Sequence, residues 1–126
     1  MRNAVTTLEG LRVLLAEDDW FIADDLVVGL QARGAEVIGP AASLEDALNL
    51  LKASPAIDAA VLDLDLRGQL SYVIADLLKA RGIPIVFATG YGHERAPASH
   101  TGSAWCEKPG NPIMALERLF HSAPAA

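Results

Sequence analysis

The chain has little that could staple it, sink it into a membrane or hold it on nucleic acid. Its 126 residues include one cysteine, Cys106, so no internal disulfide can form and a reducing compartment suits it. No apolar run approaches the roughly 18–20 residues of a membrane span. The N-terminal MRNAVTTLEG lacks the apolar core of a secretion signal. Lysine and arginine number 10 against 16 acidic residues and are scattered, and the net charge of −6 argues against a nucleic-acid surface. Repeats, low-complexity segments and interdomain linkers are absent. What remains is 52% hydrophobic and 21% charged, enough for one globular domain with a real core. A cytoplasmic protein without membrane contact is the expectation.

Short apolar runs alternate with amphipathic ones. Leu11–Ala16 predicts a strand, followed by a helix from about Trp20 to Arg33 with Ile22, Leu26 and Leu30 inward and Gly34 as its stop. Residues 36–39 (EVIG) predict a second strand. Ser43 caps a helix with Leu44, Ala47, Leu48 and Leu51 inward, and Pro55 ends it. Asp58–Leu66 predicts the third strand and Tyr72–Arg81 a helix with Val73, Leu77 and Ala80 inward. Ile83–Ala88 and Ala104–Glu107 predict two more strands. Asn111 caps a last helix, with Pro112 in its first turn and Leu116, Leu119 and Phe120 on one face. Strands joined by helical crossovers imply an α/β fold, a doubly wound five-stranded parallel sheet in three layers. The stretch from Gly90 to Ser103, with Gly92, Pro97 and Gly102, carries no helical stripe and is expected to be a long loop. The expected organisation is a polar lead-in over 1–9, a domain over 10–122 and a tail over 123–126.

Open parallel sheets bind ligands beyond the carboxyl ends of their strands. Glu17-Asp18-Asp19 follows the first strand, Asp63 and Asp65 lie in the third, Thr89-Gly90 ends the fourth, and Lys108-Pro109 follows the fifth. Carboxylates crowded at one edge repel and tend to take up a proton unless a hard cation joins them. Mg²⁺ prefers such oxygen ligands. With it bound, one carboxylate can attack phosphorus, while Lys108 and the Thr89 hydroxyl spread the charge of the transferred group. The plain alternative is an acidic run that only starts a helix. The segment Val61–Leu66, VLDLDL, adds a question of its own. Asp63 and Asp65 are two positions apart and share a face only if the strand runs straight through both.

These motifs resemble the receiver domain of two-component response regulators. LRVLLAEDDWFIADDL resembles the family's first strand, acidic pair and first helix. DAAVLDLDLRG resembles its phosphoacceptor motif, IPIVFATG its fourth strand, and WCEKP its fifth. The resemblance implies a flavodoxin-like, CheY-like fold with strand order 2-1-3-4-5. It implies Asp63 as phosphoacceptor, and Glu17, Asp18, Asp63 and the Asp65 backbone carbonyl as ligands of Mg²⁺. Thr89 and Lys108 complete the site, and Thr89 with Trp105 forms the switch. The phosphate donor would be a histidine kinase or histidine phosphotransfer protein, the molecule a monomer or weak dimer, and the downstream target another protein. Arg67 stands where the family usually has proline, and Asp65 is an atypical acid. The interval from Thr89 to Lys108 is short, so the fourth helix is expected to be shortened or missing. Phe87-Ala88-Thr89-Gly90-Tyr91-Gly92 resembles the FAT GUY subgroup of receivers, some of which act in general stress signalling. A single-domain relay, a phosphate sink and a receiver detached from a hybrid kinase all fit, and Met1 hints at a natural start.

Asp63-Leu64-Asp65 also fits the Asp-x-Asp of haloacid-dehalogenase-like phosphatases. That family, however, places its Asp-x-Asp early and its acid pair late, and this chain has no room for a cap domain. A zinc site from His93, His100, His121 and Cys106 matches no tetrahedral spacing. Gly90-Tyr91-Gly92 lacks the third glycine of a dinucleotide fingerprint.

Overall fold

The computed structural model describes residues 7–54, 56–89, 103–108 and 110–121. Strand β1 (Arg12–Ala16) is followed by α1 (Trp20–Ala32), β2 (Glu36–Ala41), α2 (Leu44–Ala53) and β3 (Ala59–Asp63). Two short strands, β4 (Asp65–Leu66) and β5 (Gln69–Leu70), precede α3 (Tyr72–Ala80). Then come β6 (Ile85–Thr89), β7 (Ala104–Glu107) and α4 (Pro112–His121). The five long strands form one parallel sheet in the order β2-β1-β3-β6-β7. This is the flavodoxin-like order expected, with β6 and β7 as the fourth and fifth sheet strands.

Alternation along the strands divides the core in two. Val13, Leu15, Val61 and Val86 pack on one face with Leu26, Leu30, Ile113 and Leu116 of α1 and α4. Leu14, Leu62 and Phe87 pack on the other with Ala47, Leu51, Ile74 and Leu78 of α2 and α3. The helix boundaries follow local chemistry. The Asp19 and Ser43 side chains accept from the amides of Ile22 and Asp46, capping α1 and α2. Gly34, at φ 90°, ends α1, and the Ala35 amide returns to the Leu30 carbonyl. Asn111 Oδ1 accepts from the Ile113 amide at the start of α4.

Several expectations change. The third strand stops at Asp63 rather than Leu66, because residues 65–66 leave the sheet to pair antiparallel with 69–70. In α3 the buried residues are Ile74, Ala75 and Leu78, while Val73, Leu77 and Ala80 face outward. The sequence YVIADLLKA carries two adjacent apolar stripes, and the helix buries the one expected to be outside. In α4, Pro112, Ile113 and Leu116 are buried, whereas Leu119 and Phe120 are exposed. The reason is that α4 meets α1 near its own start, where a Cβ at Gly29 would sit 2.5 Å from Ile113 Cδ1. The expected lead-in is not all outside the core, since Leu8 is fully buried. The expected loop from Gly90 to Gly102, with His93, His100 and the place of a fourth helix, lies outside the described residues, as do Pro55 and Pro109. No helix among the described residues is long and apolar enough to cross a membrane.

Candidate functional site

The site is built at the carboxyl ends of β1, β3, β6 and β7. β3 is buried along its whole length, so Asp63, its last residue, is carried into the edge nearly buried, 6% exposed. One of its oxygens, Oδ2, lies 3.0 Å from the Lys108 ammonium, and Oδ1 accepts the Asp65 amide at 3.2 Å. Lys108 follows β7 directly, and its amide donates to the Thr89 carbonyl at 2.8 Å. That bond extends the β6–β7 ladder by one rung and fixes the root of the lysine beside Asp63. Thr89 itself is 1% exposed at the end of β6.

The three acids after β1 divide their work. Asp19 caps α1. Glu17 is 2% exposed; its Oε2 accepts the Asp19 amide at 2.9 Å. Its Oε1 lies 3.2 Å from Lys108 Nζ as an ion pair, with no donor aligned on it as a hydrogen bond. Asp18 is the more accessible neighbour, and its Oδ2 accepts the Arg67 amide at 2.9 Å. Ligand atoms of Glu17, Asp18 and Asp63 all lie within 4.8 Å of one another.

The charges respond to this crowding. Burial pushes Glu17 up from 4.5 to about 7, opposed by the Asp19 amide and helped by Asp63 beside it. Burial also works against the charged form of Asp18. There the Arg67 amide and the neighbouring carboxyls outweigh it, and Asp18 is held below the usual range. Burial alone would lower Lys108, but its bonds and charge contacts with Asp63 and Glu17 raise it. One ammonium pairs with two of the three clustered carboxylates, Glu17 and Asp63, and a buried oxygen of Glu17 has no aligned donor. That donor set fits a hard divalent cation, which prefers several oxygens and tolerates water in the rest of its shell.

The expected residues Glu17, Asp18, Asp63, Thr89 and Lys108 therefore share one sheet edge. Asp65 does not share the face of Asp63. Its carboxylate closes a turn by accepting the Gly68 amide at 2.6 Å. Trp105 is half-buried on β7, stacked on Phe87 of β6 with ring centroids 4.4 Å apart. Sequence reasoning missed the Arg67 amide as a partner of Asp18. The signal was present in the arginine at 67, because a proline has no N–H to give.

No family model matches the chain, and no curated protein does. Solved structures do. SdrG from Sphingomonas melonis Fr1 is 31% identical, with 86% of this chain and 92% of that one covered and a TM-score of 0.73. A response regulator receiver protein from Sinorhizobium medicae WSM419 is 25% identical, with 91% and 94% covered and a TM-score of 0.76. A response regulator from Burkholderia pseudomallei, whose structure holds a phosphorylated aspartic acid, a calcium ion and citrate, is 26% identical, with 89% and 67% covered and a TM-score of 0.74. The chain spans about half the length (48%) of the response regulator PhyR from Brucella abortus, with which it shares the fold. The chain belongs to the CheY-like response regulator receiver domains.

Proposed function

We propose that the chain receives a phosphoryl group on Asp63 from the phosphohistidine of a histidine kinase or histidine phosphotransfer protein, with Mg²⁺ bound by Glu17, Asp18, Asp63 and the Asp65 backbone carbonyl. The observation that carries this reading is the Asp63–Lys108 pair set within the Glu17–Asp18–Asp63 cluster. The phosphorylated aspartic acid and calcium ion of the Burkholderia pseudomallei protein support the same chemistry.

In the transfer, a carboxylate oxygen of Asp63 forms a bond to phosphorus as the phosphorus–nitrogen bond to the donor imidazole breaks, and the electron pair leaves with that nitrogen. The product is an acyl phosphate. Lys108, already 3.0 Å from Oδ2, balances negative charge on the phosphoryl oxygens, and the Thr89 hydroxyl offers them a donor. A divalent cation, when bound, supplies further charge neutralisation and orients the phosphoryl oxygens. Burial of Asp63 and Glu17 keeps these interactions strong by excluding water. Thr89 and Trp105 form the switch: Thr89 turns toward the phosphoryl group, and Trp105 repacks. Trp20 and Phe21 stand exposed beside the acids and give a docking partner an apolar rim.

The finer setting is also a proposal. Phe87-Ala88-Thr89 continued by Gly90-Tyr91-Gly92 supports the FAT GUY subgroup. The 92% coverage of SdrG supports a single-domain phosphorelay protein, and the cytoplasm is its proposed compartment, which a lone cysteine suits. A PhyR structure is described as that of a stress response regulator, which supports a role in stress signalling. Phosphotransfer profiling against the host's histidine kinases tests the reading. One kinase should label the chain rapidly with Mg²⁺ present, and Asp63→Asn should take up no label. Label persisting on Asp63→Asn would sink the acceptor assignment.

A further inference from the structure

The hairpin after β3 is stitched by carboxylates. The Asp65 amide donates to Asp63 Oδ1 at 3.2 Å, the Arg67 amide to Asp18 Oδ2 at 2.9 Å, and the Gly68 amide to Asp65 Oδ1 at 2.6 Å. Asp65 and Leu66 pair with Leu70 and Gln69, and the turn between them puts Arg67 at φ 53° and Gly68 at φ 87°. Two successive residues with positive φ make a two-residue hairpin turn of the primed kind. Glycine takes that conformation freely, but arginine does so only when its surroundings hold it there. The Gly68 amide's bond to the Asp65 carboxylate closes the turn across Arg67. A proline at 67 could neither adopt that φ nor donate.

We propose that Asp65 is a positioning residue. Its side chain closes the Arg67–Gly68 turn, the turn aims the Arg67 amide at Asp18, and Asp18 is thereby held toward Glu17 and Asp63 for a divalent cation. This rests on the metal reading above and gives the Asp65 side chain a role separate from its backbone carbonyl. Asp18 is the most solvent-accessible of the three acids, and Glu17 and Asp63 are already fixed by burial and their own partners. Asp18 therefore has the most side-chain freedom to lose when a cation arrives, and an amide that fixes it beforehand reduces that loss. Outer partners of metal ligands typically change affinity by about 10- to 100-fold.

Mg²⁺ titration of the full chain, followed by amide NMR, tests the proposal in Asp65→Ala, Asp65→Asn and Arg67→Gly. All three keep the backbone carbonyl at 65. Asp65→Asn keeps the acceptor oxygen and removes the charge, and Arg67→Gly keeps the amide and removes the side chain. Asp65→Ala should bind Mg²⁺ about tenfold more weakly, with faster solvent exchange of the Arg67 amide. Asp65→Asn and Arg67→Gly should stay within about twofold of the unaltered chain. Unchanged affinity in Asp65→Ala overturns the proposal. So does Asp65→Asn weakening as much as Asp65→Ala, which would put the effect in the charge, or an equal loss in Arg67→Gly, which would put it in the arginine side chain. An unaltered chain that does not respond to Mg²⁺ overturns the metal reading itself, and the inference with it.

Discussion

At the scale of single residues, neighbours with the same chemistry end in different states. Glu17, Asp18 and Asp19 are consecutive, yet Asp19 caps a helix, Asp18 reaches a hairpin amide and Glu17 is buried against Lys108. The proton balance of the metal-free chain follows from Glu17. Its carboxyl titrates at about 7 when folded, against 4.5 as its ordinary value, so between those values the folded chain holds a proton that the unfolded chain has released. Stability must then fall as pH rises through that window, by up to about 3 kcal/mol from this group. Asp18 acts in the opposite sense: being lowered, it adds stability above its ordinary range, and this is lost as pH falls through its folded value. Urea unfolding in the presence of a chelator, from roughly pH 5 to 8, should show the decline, and Glu17→Gln should flatten it. A flat profile in the unaltered chain would refute the burial of a proton on Glu17. The acid cluster was legible in the sequence because strand ends of a parallel sheet converge. Which acid does what was not legible, because Asp18 is held by an amide from residue 67 and Glu17 is set against Lys108, both far along the chain.

At the scale of elements, the positions of helices and strands were legible and their faces only partly so. The strands were plain because each is a short apolar run bounded by turn residues. In α3, Val73 and Leu77 form one stripe and Ile74 and Leu78 the next, so periodicity alone leaves the choice open. Packing against β6 and α2 decides it in favour of Ile74 and Leu78, both fully buried. Leu78→Ala should therefore cost about 2–5 kcal/mol in chemical denaturation. Leu77→Ala, at an exposed position, should change stability by no more than about 0.5 kcal/mol. The reverse order would restore the face expected from sequence. The β4–β5 hairpin escaped sequence reading because two residues per strand are too few to show an alternating pattern. Only Gly68 marked its turn.

At the scale of the whole molecule, the two residues of the proposed switch lie on adjoining strands. Thr89 ends β6, and Trp105 on the neighbouring β7 stacks over Phe87. The stacked pair is worth about 0.5–1.5 kcal/mol beyond its buried area, small enough for a phosphoryl group at Asp63 to tip. Beryllofluoride with Mg²⁺ should therefore change the emission of Trp105, read in a Trp20→Phe background to silence the second indole. Unchanged emission, together with unmoved amide signals for Thr89 and Trp105, would refute the switch pair.

The opposite edge of the sheet has its own consequence. Thr7 and α4 are tied together: the Thr7 hydroxyl donates to Glu117, which also receives Arg33, and the His121 ring meets the Thr7 carbonyl. The first and last described residues thus meet at the amino edge, where the Leu8 and Gly10 amides reach Arg33 and Gly34. A label attached at Thr7 or His121 would lie on the side away from the carboxylates. The same geometry permits a circular permutant in which a linker joins Thr7 to His121 and new ends open at the exposed Arg81–Gly82 turn, ahead of β6 and away from Asp63.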